Sequence, residues 1–186
     1  MPSAIQETAA QIAGHLAGWT LKPTEYTHFA TLGAADGAEL HLSSSRVRGR
    51  LSVSGNYPRG RNGDWYGPHQ DRPRITVAAD RPAASIAQEI ARRLLPQYLP
   101  QYQEAVARKA KTEALSARAS AIAGDVAALL GVRLRDDGHG DAIKVYGERV
   151  DVTVHRYGSL KIEVRLESTD AGTATALSVL RILAGR

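Results

Sequence analysis

Residues 101 to 131, QYQEAVARKAKTEALSARASAIAGDVAALLG, contain no proline and only one interior glycine, Gly124, before Gly131 ends the run. A breaker-free stretch of this kind reads as one long helix, about 45 Å at 1.5 Å per residue. It divides the chain into two flanks that alternate between apolar and polar residues. Arg108, Lys109 and Lys111 within it are interleaved with Glu104 and Glu113, the pattern of a solvated helix face.

The two flanks resemble each other at a fixed offset. QIAGHLAGW at 11–19 lies over AIAGDVAAL at 121–129, and the same shift of 110 puts Leu40 on Val150, Leu42 on Val152 and Arg46 on Arg156. After a gap of one residue, Leu51 meets Leu160 and Val53 meets Ile162. The shared order and offset point to an internal duplication.

In the first flank, Ser3 with Gln6 makes a capping-box pattern, and Ile5, Ala9, Ile12, Leu16 and Trp19 fall on one helical stripe. That predicts a helix of roughly four turns. Four strands follow, in THFATLG, AELHLSSS, RGRLSVSGNY and RPRITVAAD, and then a helix capped by Asp80 with Ile86, Ile90 and Leu94 stacked until Pro96 stops or kinks it. The second flank predicts a helix over ASAIAGDVAALL and strands DAIKVYG, RVDVTVHR and SLKIEVRLES. A final helix is capped near Asp170 and carries Leu177, Leu180 and Leu183.

The expected fold class is α+β: two tandem, related units, α-β-β-β-β-α and α-β-β-β-α, joined by the long helix. The boundaries fall at 1–97, 98–118 and 119–186. Each sheet would have one face covered by helices and one left open. The units can stand as separate domains or pair their sheets into one layer.

Net charge becomes informative once it is located. Of 24 basic and 19 acidic residues, seven arginines (46, 48, 50, 59, 61, 72, 74) and only Asp64 and Asp71 fall within 46–74, leaving seventeen of each sign elsewhere. The whole surplus of +5 sits in one segment, which predicts attraction for a polyanion or an acidic protein face. The same segment carries Tyr57, Trp65 and Tyr66 among glycines, and residues 56–72 have no counterpart in the second flank. Arginines on phosphates beside aromatic rings on bases suit single-stranded or irregular nucleic acid. The candidate site residues are Arg48, Arg50, Arg59, Arg61, Trp65, Tyr66, Arg72 and Arg74. The competing structural reading is a hairpin loop with Trp65 and Tyr66 folded back on the sheet and its arginines solvated.

Other classes of function have weaker support. The chain has no cysteine, and its six histidines show neither HxH nor HExxH spacing. DDGHGD at 136–141 has the composition of an ordinary helix-to-strand turn, and no phosphate-binding glycine loop follows a strand. Helix, three strands, helix is also the order of the double-stranded RNA-binding domain. GPH at 67–69 is misplaced for that family's loop motif, so only topology is shared. No enzyme activity, cofactor or metal is expected. Apolar runs are too short to span a membrane, and zero cysteines suit the cytoplasm. Ala- and Arg-rich usage suits a GC-rich bacterium, phage or plasmid. The sequence therefore predicts a non-enzymatic binding protein for DNA or RNA. The alternative is a protein-interaction module, such as an accessory or inhibitory factor of a phage or mobile element, that engages an acidic partner.

Overall fold

The computed structural model describes residues 3–60, 63–69, 71–132, 142–146, 150–155, 161–166, 174–175 and 177–181. The architecture is mixed α+β, with a five-stranded antiparallel sheet, a three-stranded antiparallel sheet and one long helix. The chain divides into two compact units, residues 1–108 and 109–186. No described helix is long and apolar enough to cross a membrane.

In the first unit, α1 (Ala4–His15) starts with the expected capping box: the Gln6 N–H donates to Ser3 Oγ, and the Ser3 N–H donates to Gln6 Oε1. The helix ends sooner than its apolar stripe suggests. Leu16 is already extended, the chain turns at Ala17 and Gly18, and Trp19 opens a strand, β1 (Trp19–Lys22), instead of closing the helix. Leu16 and Trp19 are nonetheless buried, at 5% and 7% exposure. Spacing identified which side chains enter the core, but not the backbone that carries them there.

The first unit therefore has five strands where four were predicted. β2 (Phe29–Ala34), β3 (Glu39–Ser44), β4 (Arg50–Asn56) and β5 (Arg74–Ala78) follow β1 in a simple meander with spatial order β1-β2-β3-β4-β5. One face buries Leu32, Leu40, Leu42, Val53 and Val77 against Ile12 of α1 and Ile86, Ile90 and Leu94 of the following helices. The period-two alternation leaves Phe29, Thr31, His41, Ser43, Ser52, Ser54 and Thr76 on the opposite face, all half-buried.

Asp80 does not cap the next helix. α2 (Ala83–Glu89) has Pro82 at its N-cap and no side-chain cap bond. Nor does Pro96 stop the helix. A π-helical turn, Ile90–Leu94, leads directly into α3 (Leu95–Leu130), with the Leu95 N–H bonded to the Ile90 carbonyl. Proline has no N–H to offer the carbonyl four residues back, and the wider turn comes just where that bond would be lost. Pro100 lies inside α3 as well.

Tyr98 of α3 is fully buried, and its hydroxyl sits at the end of the β3–β4 ladder. Glu39 and Asn56 are register partners, but the hydroxyl comes between them: it accepts from the Glu39 N–H at 3.0 Å and donates to the Asn56 carbonyl at 2.7 Å. The ring reaches there because Gly55 has no side chain; a Cβ at that position would collide with Tyr98 ring carbons. Burial pushes the Tyr98 phenol far above its ordinary value, against the Glu39 backbone hydrogen bond that lowers it.

In the second unit, β6 (Ala142–Tyr146), β7 (Val150–His155) and β8 (Lys161–Leu166) form a meander in the order β6-β7-β8. Ile143, Val145, Val152 and Val154 pack with Ile122 and Val126 of α3. In the helical residues 174–175 and 177–181, Val179 is buried, while Leu177 and Leu180 of the predicted leucines are 53% and 49% exposed. Leu183 and the expected cap Asp170 lie outside the described residues. Leu42 is opposite Val53 in the first sheet, whereas Ile162 is opposite Val154, not Val152, in the second; the offset of 110 therefore does not carry the pairing register across unchanged.

Tyr98→Phe keeps the ring but removes the inserted hydroxyl, leaving the Glu39 N–H and the Asn56 carbonyl without it. A loss of about 1–3 kcal/mol is expected in urea denaturation. Unchanged stability would show that the two strand ends close on each other without the tyrosine.

Candidate nucleic-acid interface

Residues 57–73, within the basic aromatic segment, join β4 to β5. Its first part folds on itself: Arg59 and Trp65 form an isolated antiparallel bridge, and the Gly60 N–H donates to the Asp64 carbonyl. Its aromatic residues point inward. Tyr57 is 3% exposed, meets Tyr98 edge-on at 5.5 Å and Trp65 edge-on at 5.6 Å, and donates its hydroxyl to Gln101 Oε1 at 2.7 Å. Burial raises the Tyr57 phenol, and the charge of Arg72 opposes that rise. Gly67 lies against both rings, where a Cβ would sit 2.6 Å from carbons of Tyr57 and Trp65.

Tyr66 is in the core at 7% exposure. Trp65 is half-buried against that core and donates Nε1 to the Pro68 carbonyl, and two guanidinium groups approach its ring: Arg72 at 4.2 Å and Arg59 at 5.5 Å from the centroid. The Arg72 Nε–H also donates to the Pro68 carbonyl. In this structure the two rings serve the core and the arginines instead of standing bare to solvent. The folded-back arrangement of Trp65 and Tyr66 is the one present.

The arginines are divided by the length of β4. Arg46 and Arg48 lie in the β3–β4 turn and Arg50 begins β4, whereas Arg59 and Arg72 belong to the connection that leaves its far end, with Arg74 opening β5 opposite Ser54. Seven strand residues put Arg50 about 20 Å from the start of that connection, whereas Arg74, four residues along the ladder, is about 13 Å from Arg50. Arg61 lies outside the described residues. Arg46, Arg48, Arg50, Arg59, Arg72 and Arg74 are all exposed, and none forms an ion pair with a described carboxylate. Arg50 instead donates to the Thr76 carbonyl at 2.9 Å. Elsewhere five of the twelve described cations are matched: Arg92 and Arg93 by Glu89, Lys109 by Glu113, Lys22 by Glu39 and Lys161 by Glu163. Burial alone would raise the Glu39 carboxyl, but hydrogen bonds from Lys22 and Asn56 and the Lys22 charge outweigh it and hold the group below its ordinary range.

A second aromatic group was not apparent from the sequence. Phe29, at the start of β2, stacks on Tyr26 at 5.2 Å, meets His28 at 5.0 Å and reaches His41 of β3 at 4.7 Å. Phe29 is paired with Ser43, so this group occupies the same end of the sheet as the Arg46–Arg48 turn. The preceding loop is fastened by Gln6 of the α1 capping box, whose Nε2 donates to the carbonyls of Thr24 and Tyr26. TEYTHF has no periodicity that reveals a cluster. Only the β2–β3 register brings His41 to it.

The notable carboxylates of 136–141, Asp136, Asp137 and Asp141, lie with His139 outside the described residues. Among the described residues no three metal-ligating side chains gather. Compared with protein-family models, curated proteins and solved structures, the chain matches none.

Burial is the main cause holding His41 below the ordinary imidazole value of about 6.5, and the charge of His28 adds to it. The unfolded chain therefore takes up this proton first. The stability contributed by neutral His41 is present above about pH 6.5 and is lost as pH falls through its lowered value. The denaturation midpoint is expected to fall on acidification from about pH 6.5 toward 5, with His41→Gln flattening that window. Glu39 makes its contribution at lower pH, because its carboxylate stability, present above the ordinary value of about 4.5, is lost as pH falls through its lowered value. A wild-type midpoint constant over the first window would exclude the histidine effect.

Proposed function

We propose that the protein is a non-enzymatic nucleic-acid-binding protein, and that its first unit contacts the phosphate backbone through two arginine groups flanking an open sheet face. The observation that carries this reading is the concentration of charge: the six described arginines of 46–74 are exposed and none has a described carboxylate partner, while five of the twelve described cations elsewhere are ion-paired. Between the groups the face offers hydroxyls from Ser43, Ser52, Ser54 and Thr76, neutral donors suited to phosphate oxygens. Its one acid, Glu39, is already engaged by Lys22 and Asn56.

In this reading Arg48, Arg50, Arg59, Arg72 and Arg74 act on phosphates, with Arg61 expected beside them. Trp65 and Tyr66 act from within the fold: Tyr66 anchors the β4–β5 connection and Trp65 positions Arg59 and Arg72. The reading also takes the two units as related copies, of which only the first acquired this connection. Burial at equivalent positions, Ile12 with Ile122 and Leu42 with Val152, supports the relationship.

Fluorescence anisotropy with labelled DNA and RNA oligonucleotides across a salt series tests the proposal. Affinity is expected to fall steeply with salt, and Arg48→Gln or Arg59→Gln should each weaken binding to all sequences and reduce the log–log slope by about 0.7–0.9. No association at low salt would refute it. Retention of one acidic protein after nuclease treatment, without oligonucleotide binding, would identify the protein-interaction alternative instead.

A further inference from the structure

The arginines near Trp65 have an aromatic neighbour that is already occupied, whereas those of the β3–β4 turn share an end of the sheet with one that is accessible. Tyr26 is 60% exposed, and Val47, between Arg46 and Arg48, is also 60% exposed; these are the two most exposed large apolar side chains among the described residues. They sit at the same end of one sheet because Phe29 pairs with Ser43, two residues before the turn begins at Ser45. Exposed aromatic surface normally raises the free energy of a monomer, and here it coincides with three exposed arginines that have no described carboxylate partner.

The geometry points to a base-stacking site for single-stranded nucleic acid at this end of the sheet, formed by Tyr26, Phe29 and His41 and bordered by Arg46, Arg48 and Arg50. This inference rests on the function proposed above and specifies the form of its ligand. Stacking needs flat π-surface on a fixed support, and both are present. Phe29 and His41 lie on adjacent paired strands, with ring centroids 4.7 Å apart, and Tyr26 stacks on Phe29 at 27° between planes. The Gln6 bonds to Thr24 and Tyr26, with the Tyr26 N–H donating to Thr24 Oγ1, hold the loop before a ligand arrives.

Charge selects the occupant. Three arginines border the platform against one exposed acid, Glu25 beside Tyr26, and the acid of the strands, Glu39, is neutralised by its own neighbours, so a polyanion with exposed apolar planes complements the net charge and the rings. A duplex would offer the phosphates but keep its bases stacked on one another. A single strand offers both.

The test uses the full chain and three labelled probes of about 12 nucleotides: a single strand, its duplex, and an abasic single strand of equal length. The wild type is expected to prefer the intact single strand over both other probes. Tyr26→Leu and Phe29→Leu keep apolar volume but remove the ring, and each should weaken intact single-strand binding by about 5- to 100-fold while leaving abasic binding unchanged. Phe29→Tyr retains a ring and should keep most of the affinity, which separates stacking from damage to β2. Equal wild-type binding to intact and abasic strands, preference for the duplex, or full affinity in both leucine variants would overturn the stacking site and leave phosphate binding standing. Absence of binding to every probe at low salt would remove both.

Discussion

The first unit is organised around a hydroxyl group that stands in for a sheet hydrogen bond. Tyr98 comes between the Glu39 N–H and the Asn56 carbonyl, so the helix that bears it is fixed to two strands at once. Its ring occupies the space Gly55 leaves and meets Tyr57 edge-on; Tyr57 meets Trp65, and Trp65 carries Arg72 and Arg59. Rigidity thus passes from α3 through three aromatic rings to two guanidinium groups. A connection of this length between strands is usually adaptable. Here its aromatic members join it to the core.

Much of this architecture was legible where local chemistry decides it. Ser3 and Gln6 marked the start of α1, alternation marked β2 to β5, and Ile86, Ile90 and Leu94 marked the helix face that enters the core. What was not legible depended on partners distant in sequence. Trp19 lies on the helical stripe of α1, yet pairing with Ala34 across β1 and β2 draws it into a strand. Pro96 breaks an ideal helix, but a π-turn before it absorbs the missing bond.

The same limit applied to the site. Seven arginines within 29 residues of sequence look like one cluster. A straight strand in the middle separates them into two groups, because extended backbone covers distance faster than any other regular form. Conversely, His41 is twelve residues from Phe29 in sequence and in ring contact in space. Composition located the charge correctly and assigned it to the nearest aromatic residues, whereas strand register provides the accessible ones.

Separated like charges bear on what such a surface accomplishes. Six exposed arginines without described carboxylate partners repel one another, and nearby acids such as Asp64 and Asp71 do not neutralise them. A surface adapted only for solubility would intersperse both signs, as Glu89 does for Arg92 and Arg93. A compact anion could satisfy Arg46 and Arg48 but would leave Arg59 and Arg72 the length of β4, about 20 Å, away. An extended polyanion of the kind proposed, laid along β4, would reach both, releasing counterions at each end and meeting hydroxyls between. The spacing that divides the arginines is therefore what favours a long ligand over a small one.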